Sequence, residues 1–178
     1  KPDAIAYLRK SLDFNRDNRF RYQPGTRRVK DIDLLSNWGD KSKVRNTLGW
    51  ETMAVTGSKG HFAFPVRVER NGQFFSVVDM VEDGDDRYLE RVGLDPEGAL
   101  YKMYNQLDSS TTNVEKKTRT WEGNNDLQAF ITGLNPGTAI ATRRQYGYDN
   151  VDIPILLNNL AALALINSQD QGHKNYYL

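Results

Sequence analysis

The chain has 178 residues, 38% of them hydrophobic and 26% charged, with a formal net charge of +1 and no cysteine. That length suits one domain with a sizeable core, and the near-zero charge gives no argument for a nucleic-acid or membrane-surface partner. Disulfides, thiolate metal sites and cysteine nucleophiles are excluded, and no apolar run reaches the roughly 18 residues of a membrane span. The two histidines, His61 and His173, are too far apart in sequence to read as a histidine-rich metal site. The first residue, Lys1, is read as an internal cut, with any signal peptide upstream of it.

"SLDFNRDNRFRY" places apolar residues at Leu12 and Phe14, then Phe20 and Tyr22, which predicts a strand followed by a polar turn around Asn15 to Asn18. "VKDIDLL", Val29 to Leu35, alternates again and predicts a second strand. From Asp40 the period changes. Asp40 is a good N-cap, Val44, Leu48 and Met53 or Val55 fit helical spacing, and Gly57 supplies a stop.

The alternation of Phe62, Phe64, Val66 and Val68 predicts a strand, and Asn71-Gly72 predicts a two-residue hairpin turn, because both positions need positive φ. Gln73 to Glu82 is the return strand. "DDRYLERVG" predicts a short helix ending at Gly93, and "GALYKMY" another strand. Residues 105–125 are polar with few aliphatics and read as a long loop or flexible insertion. "DLQAFITGLNPG" predicts a helix with Asn125 or Asp126 near its cap. The strongest helix follows Asp152. Pro154 fits its first turn, and Ile153, Leu156, Leu160, Leu163 and Leu165 or Ile166 form a broad apolar face. The fold class is α+β, with a sheet-rich first half and a helical second half.

The closing stretch, "INSQDQGHKNYYL", carries the chemistry. Asp170 and Asn175 are spaced D-x-x-x-x-N on a turn between a buried helix and a strand. Protein kinases use that spacing for a carboxylate that takes the acceptor hydroxyl's proton and an asparagine that holds magnesium. A neutral oxygen ligand holds a hard cation without adding charge. On spacing alone, an ordinary polar helix-to-strand turn remains open. The acidic turn "EDGDD", Glu82 to Asp86, lacks the spacing of a known calcium loop and reads as a solvated turn.

The wider pattern is specific. "NNLAALALINSQDQGHKNYYL", "RKSLDFNRDNRF", "IDLLSNWGDKSKVRNTLGWE" and "PVRVERNGQFFSVVDMVEDGDDRYLER" occur in an order that resembles the spore-coat protein H (CotH-type) kinase family, over Arg9 to Leu178. The resemblance implies an atypical protein-kinase-like fold. It divides residues 1–178 into an N-lobe-like part with its hinge (1–104), the loop 105–125, and the start of a C-lobe (126–178). It also implies ATP and Mg²⁺ as cofactors, and phosphoryl transfer to serine or threonine of coat or surface proteins, which favours a spore-coat, cell-surface or secreted location.

Carried over by position, Asp170 is the catalytic aspartate and Asn175 a metal ligand. Lys10 is the candidate phosphate-binding lysine, with Arg9 as the alternative basic residue, and Glu51 is its candidate partner on the regulatory helix. Arg45 and Asn46 match the family's R-N pair, for which a structural role is expected. The chain departs from the pattern at Ser76 and Val78, where the family tends to have glycine and an aromatic, and lacks the usual glycine-containing turn before Arg9. The family's second metal aspartate is expected after Leu178, which would leave residues 1–178 alone a poor kinase. A non-catalytic surface or coat interaction protein on the same fold is the alternative reading.

Overall fold

The computed structural model describes residues 9–13, 19–22, 24–168 and 175–178. Among the described residues, two antiparallel sheets and five helices make an α+β fold. The first sheet has the order β1-β2-β4-β3, from β1 (Arg9–Asp13), β2 (Asp31–Leu35), β3 (Ala63–Arg70) and β4 (Gln73–Glu82). The second has the order β6-β5-β7, from β5 (Tyr101–Met103), β6 (Val114–Lys116) and β7 (Tyr176–Tyr177). The helices are α1 (Arg45–Val55), α2 (Asp86–Arg91), α3 (Asn125–Gly133), α4 (Ile140–Asn150) and α5 (Ile153–Leu165).

The β3–β4 hairpin turns on Asn71 and Gly72, whose φ values of 53° and 74° are the pair a type I′ turn requires. In the first sheet, Val29, Ile32 and Met80 form a buried cluster on which Leu12, Phe20, Tyr22, Leu34, Phe64 and Val66 pack. The second sheet closes on α3 through Tyr101, Met103 and Leu127. The halves are tied by α1 against α5. The Ser58 hydroxyl also donates to Asn159 Oδ1 at 3.0 Å, which gives a polar residue within the apolar α5 sequence a partner. No helix of the described residues is long and apolar enough to cross a membrane.

Four expectations change. The helix expected from Asp40 begins five residues later, because the Asp40 carboxylate folds back onto the Ser42 and Arg45 backbone N–H groups, both at 2.9 Å, ahead of the first helical turn. The segment 105–125 holds β6 and has bonded side chains, among them Ser110 donating to Gln128 at 2.7 Å. Helix α4 was not anticipated, since it buries none of its residues and so shows no apolar stripe. The Glu82–Asp86 turn is a buried structural turn rather than a solvated one. Arg91 pairs with the nearly inaccessible Glu82 carboxylate at 2.5 Å, Lys117 pairs with Asp83 at 3.0 Å, and Asp85 caps α2. The expected turn at Asn15 to Asn18 lies outside the described residues.

Candidate functional site

The stretch that holds D-x-x-x-x-N is bounded on both sides by left-handed asparagines. Helix α5 starts on Asp152, whose carboxylate accepts from Ile155 N–H at 3.0 Å, with Pro154 in its first turn. It ends in a Schellman arrangement. Ser168 N–H bonds Leu163 O at 2.9 Å, Asn167 N–H bonds Ala164 O at 3.1 Å, and Asn167 has φ 52°. Asn175 stands at the other side with φ 58°, exposed, directly before β7. Asparagine tolerates this backbone region because its short side chain can bond locally.

β7 is seated by both backbone and rings. Tyr101 and Leu178 exchange backbone hydrogen bonds at 2.8 and 2.9 Å, and β7 pairs with β5. The Tyr177 ring lies over Gly84, just after β4. A Cβ placed there would stand 2.6 Å from that ring, so the close approach requires glycine. Tyr177 also meets His61, with ring centroids 5.0 Å apart. The second sheet, and Asn175 with it, is thereby docked on the segment leaving the first sheet.

A cavity of about 550 Å³ opens at this junction, lined among others by Trp50, His61, Tyr88, Leu163 and Asn175. That volume lies within the usual range of small-molecule pockets. His61 is 8% exposed and stacked on Tyr88, with centroids 4.5 Å apart and planes at 16°. Burial, reinforced by the Arg91 charge, pushes its pKa down to about 4, so the ring is neutral at pH 7. Among the described residues no group of three or more His, Cys, Asp or Glu side chains is placed to hold a metal.

The motif around α1 is a polar joint. Asn37, with φ 45°, donates its amide to the buried Asp79 carboxylate on β4. Asn46 donates to Asn37 Oδ1 at 2.9 Å, and Lys43 Nζ caps the Ser36 and Asn37 carbonyls at 2.9 and 2.6 Å. Asp40 accepts from the Ser42 hydroxyl at 2.6 Å and from Arg45 N–H; these bonds, the hydroxyl first, bring its carboxyl down to about 2. Asn46 therefore has the structural place expected of it. Asp79 was missed, although an aspartate among "SVVDMVE", in the middle of a strand paired on both sides, is itself a signal.

A family model for CotH kinase protein matches residues 5–178. The chain belongs to the CotH kinase protein family. Comparison with curated proteins gives no match. The mixed helix-and-sheet architecture is consistent with that membership.

The other candidate residues of this CotH-family chain fall as follows. Asp170 lies outside the described residues. Lys10 is on β1, opposite Leu34 in the register, at the edge of the first sheet farthest from β3. Arg9 is opposite Leu35. Glu51 is exposed on α1, a helix that packs against β3 and α5, and it makes no ion pair with a described residue. β2, the strand leading into α1, has the sequence DIDLL and no lysine.

Proposed function

We propose that this is an atypical protein kinase domain that moves the γ-phosphoryl group of ATP to serine or threonine of a coat or surface protein. Residues 1–104 serve as the N-lobe and hinge, 105–125 as a connecting segment, and 126–178 as the start of the C-lobe. The observation that supports the reading is the pair of elements that flank segment 169–174, which holds Asp170. A capped helix delivers the chain on one side, and Asn175 opens a docked strand on the other. This is the rigid support a general base and a metal ligand need.

In this reading the Asp170 carboxylate takes the proton of the acceptor hydroxyl as its oxygen forms the new bond to the γ-phosphorus. The bond from that phosphorus to the β–γ bridging oxygen breaks, and ADP leaves. Asn175 supplies a hard amide oxygen suited to Mg²⁺, with the Asp170 carboxylate nearby in sequence. When bound, the metal neutralises charge on the β- and γ-phosphates. Lys10 serves the phosphates in this reading. Glu51 is its candidate partner in this reading.

A specific observation also favours the alternative, a non-catalytic coat or surface interaction protein. Glu51 is turned to solvent, while Ser76 and Val78 depart from the family's hairpin. Calorimetric titration of the full-length protein with Mg-ATP separates the two. The enzyme binds magnesium-dependently, and Asn175→Ala, which removes the amide oxygen offered to the metal, weakens binding by about tenfold or more. Absence of magnesium-dependent binding removes the kinase reading.

A further inference from the structure

Asp79 is fully buried on β4. Its Oδ2 accepts from Asn37, while Oδ1 has no hydrogen-bond partner among the described residues. Burial raises its pKa, against the pull of the Asn37 and Asn46 amides. Asp40 and Lys43 are the charged neighbours, acting in opposite directions. An incompletely satisfied buried carboxylate is costly, and an apolar residue of similar volume would pack more cheaply. Such groups are retained where they fix one orientation of two elements against each other.

Here the elements are β4 and α1. A chain of hydrogen bonds runs from Asn46 on the first turn of α1, through Asn37, to Asp79, and the Asn46 amide also acts on the Asp79 carboxylate directly. Asn37 is held left-handed, and its carbonyl and that of Ser36 are gripped by Lys43, itself at φ 59°. Asp79 pairs with Leu35, which pairs with Arg9; the next register row along is Met80, Leu34 and Lys10. The joint therefore sets α1 against the end of the sheet that carries both candidate phosphate-binding residues.

We infer that the Asp79–Asn37–Asn46 chain is a latch that positions α1 on the sheet, and that phosphoryl transfer depends on the latch being closed. The second half rests on the kinase reading above; the first does not. Asp79 is a positioning residue, acting through α1. The latch is not visible in a stability measurement alone, since Asn46→Ala strips a polar partner whether or not the joint orients α1, and Asp79→Leu trades that loss against apolar packing.

The test compares Asp79→Leu, Asp79→Asn, Asn46→Ala and the Asp79→Leu/Asn46→Ala double variant in the full-length protein. Hydrogen exchange at the amides of residues 45–50 and steady-state transfer from Mg-ATP are both read. A closed latch predicts exchange about tenfold faster in Asp79→Leu and Asn46→Ala, no further acceleration in the double variant, and near wild-type exchange in Asp79→Asn, which still accepts from Asn37. It also predicts kcat down about tenfold in Asp79→Leu with little change in KM for Mg-ATP, and rescue in Asp79→Asn. Unchanged exchange, or additive effects in the double variant, overturns the latch. Accelerated exchange with unchanged kcat overturns its role in transfer. A wild type without transfer defeats the kinase reading, and with it the dependence of transfer on the latch, while exchange still judges whether the latch positions α1.

Discussion

At His61, burial and the Arg91 charge both oppose protonation, so the folded ring titrates near 4 against an ordinary value of 6.5. Between those values the unfolded chain binds the proton and the folded chain does not. Stability contributed by the neutral ring is therefore complete above pH 6.5 and is lost as pH falls toward 4, by about 3 kcal/mol in all. Asp85 works in the opposite sense. Its carboxyl is pushed up to about 6 by burial, so the folded state holds that proton and loses stability as pH rises from 3.8 to 6. The difference between wild type and His61→Phe isolates the histidine. Urea unfolding at pH 7, 5.5 and 4.5 should show the stability of wild type minus that of His61→Phe falling as pH falls, and a pH-independent difference would refute the assignment. Single residues were unevenly legible. Asp152 as a cap and Pro154 in the first turn follow from local chemistry, and both stand where expected. Asp79 and the solvent-turned Glu51 depend on how α1 settles against the sheet, which spacing along one segment does not encode.

Among the elements, the β3–β4 hairpin is set by its own sequence. Gly72 has open space around the position of a Cβ, so a side chain there meets no neighbour, and the cost is the left-handed backbone alone. Gly72→Val should destabilise by about 1–3 kcal/mol. Thermal unfolding should show a drop of about 2–4 °C per kcal/mol at this size, and an unchanged Tm would contradict the turn geometry. Elements with a strong period or turn pair, such as this hairpin and α5, were legible as elements, although α5, expected to be buried, buries only Ala162 and leaves Leu156, Leu160 and Leu165 exposed. Helix α4, with no buried residue, and β6, three residues within a polar segment, were not, because tertiary contacts rather than periodicity select them. The onset of α1 moved for a related reason. Asp40 does bond the Arg45 N–H, but from five residues away, through a turn of its own rather than as an N-cap.

At the scale of the whole molecule, two antiparallel sheets meet through Tyr177 on Gly84, and α5 joins the halves through Asn159. This arrangement places both flanks of segment 169–174, Asn167 after α5 and Asn175 before β7. The family pattern made the order of segments readable from sequence, whereas the docking of β7 on β5 and Gly84 required the fold. The central claim is that Asp170 is the base of a phosphoryl-transfer site. The direct measurement is transfer of label from [γ-³²P]ATP to serine or threonine of a protein acceptor, by full-length wild type and by Asp170→Asn matched for folding by circular dichroism. The account predicts magnesium-dependent labelling by wild type and a loss of about 10²- to 10⁴-fold in Asp170→Asn. Labelling by Asp170→Asn at the wild-type rate would contradict it.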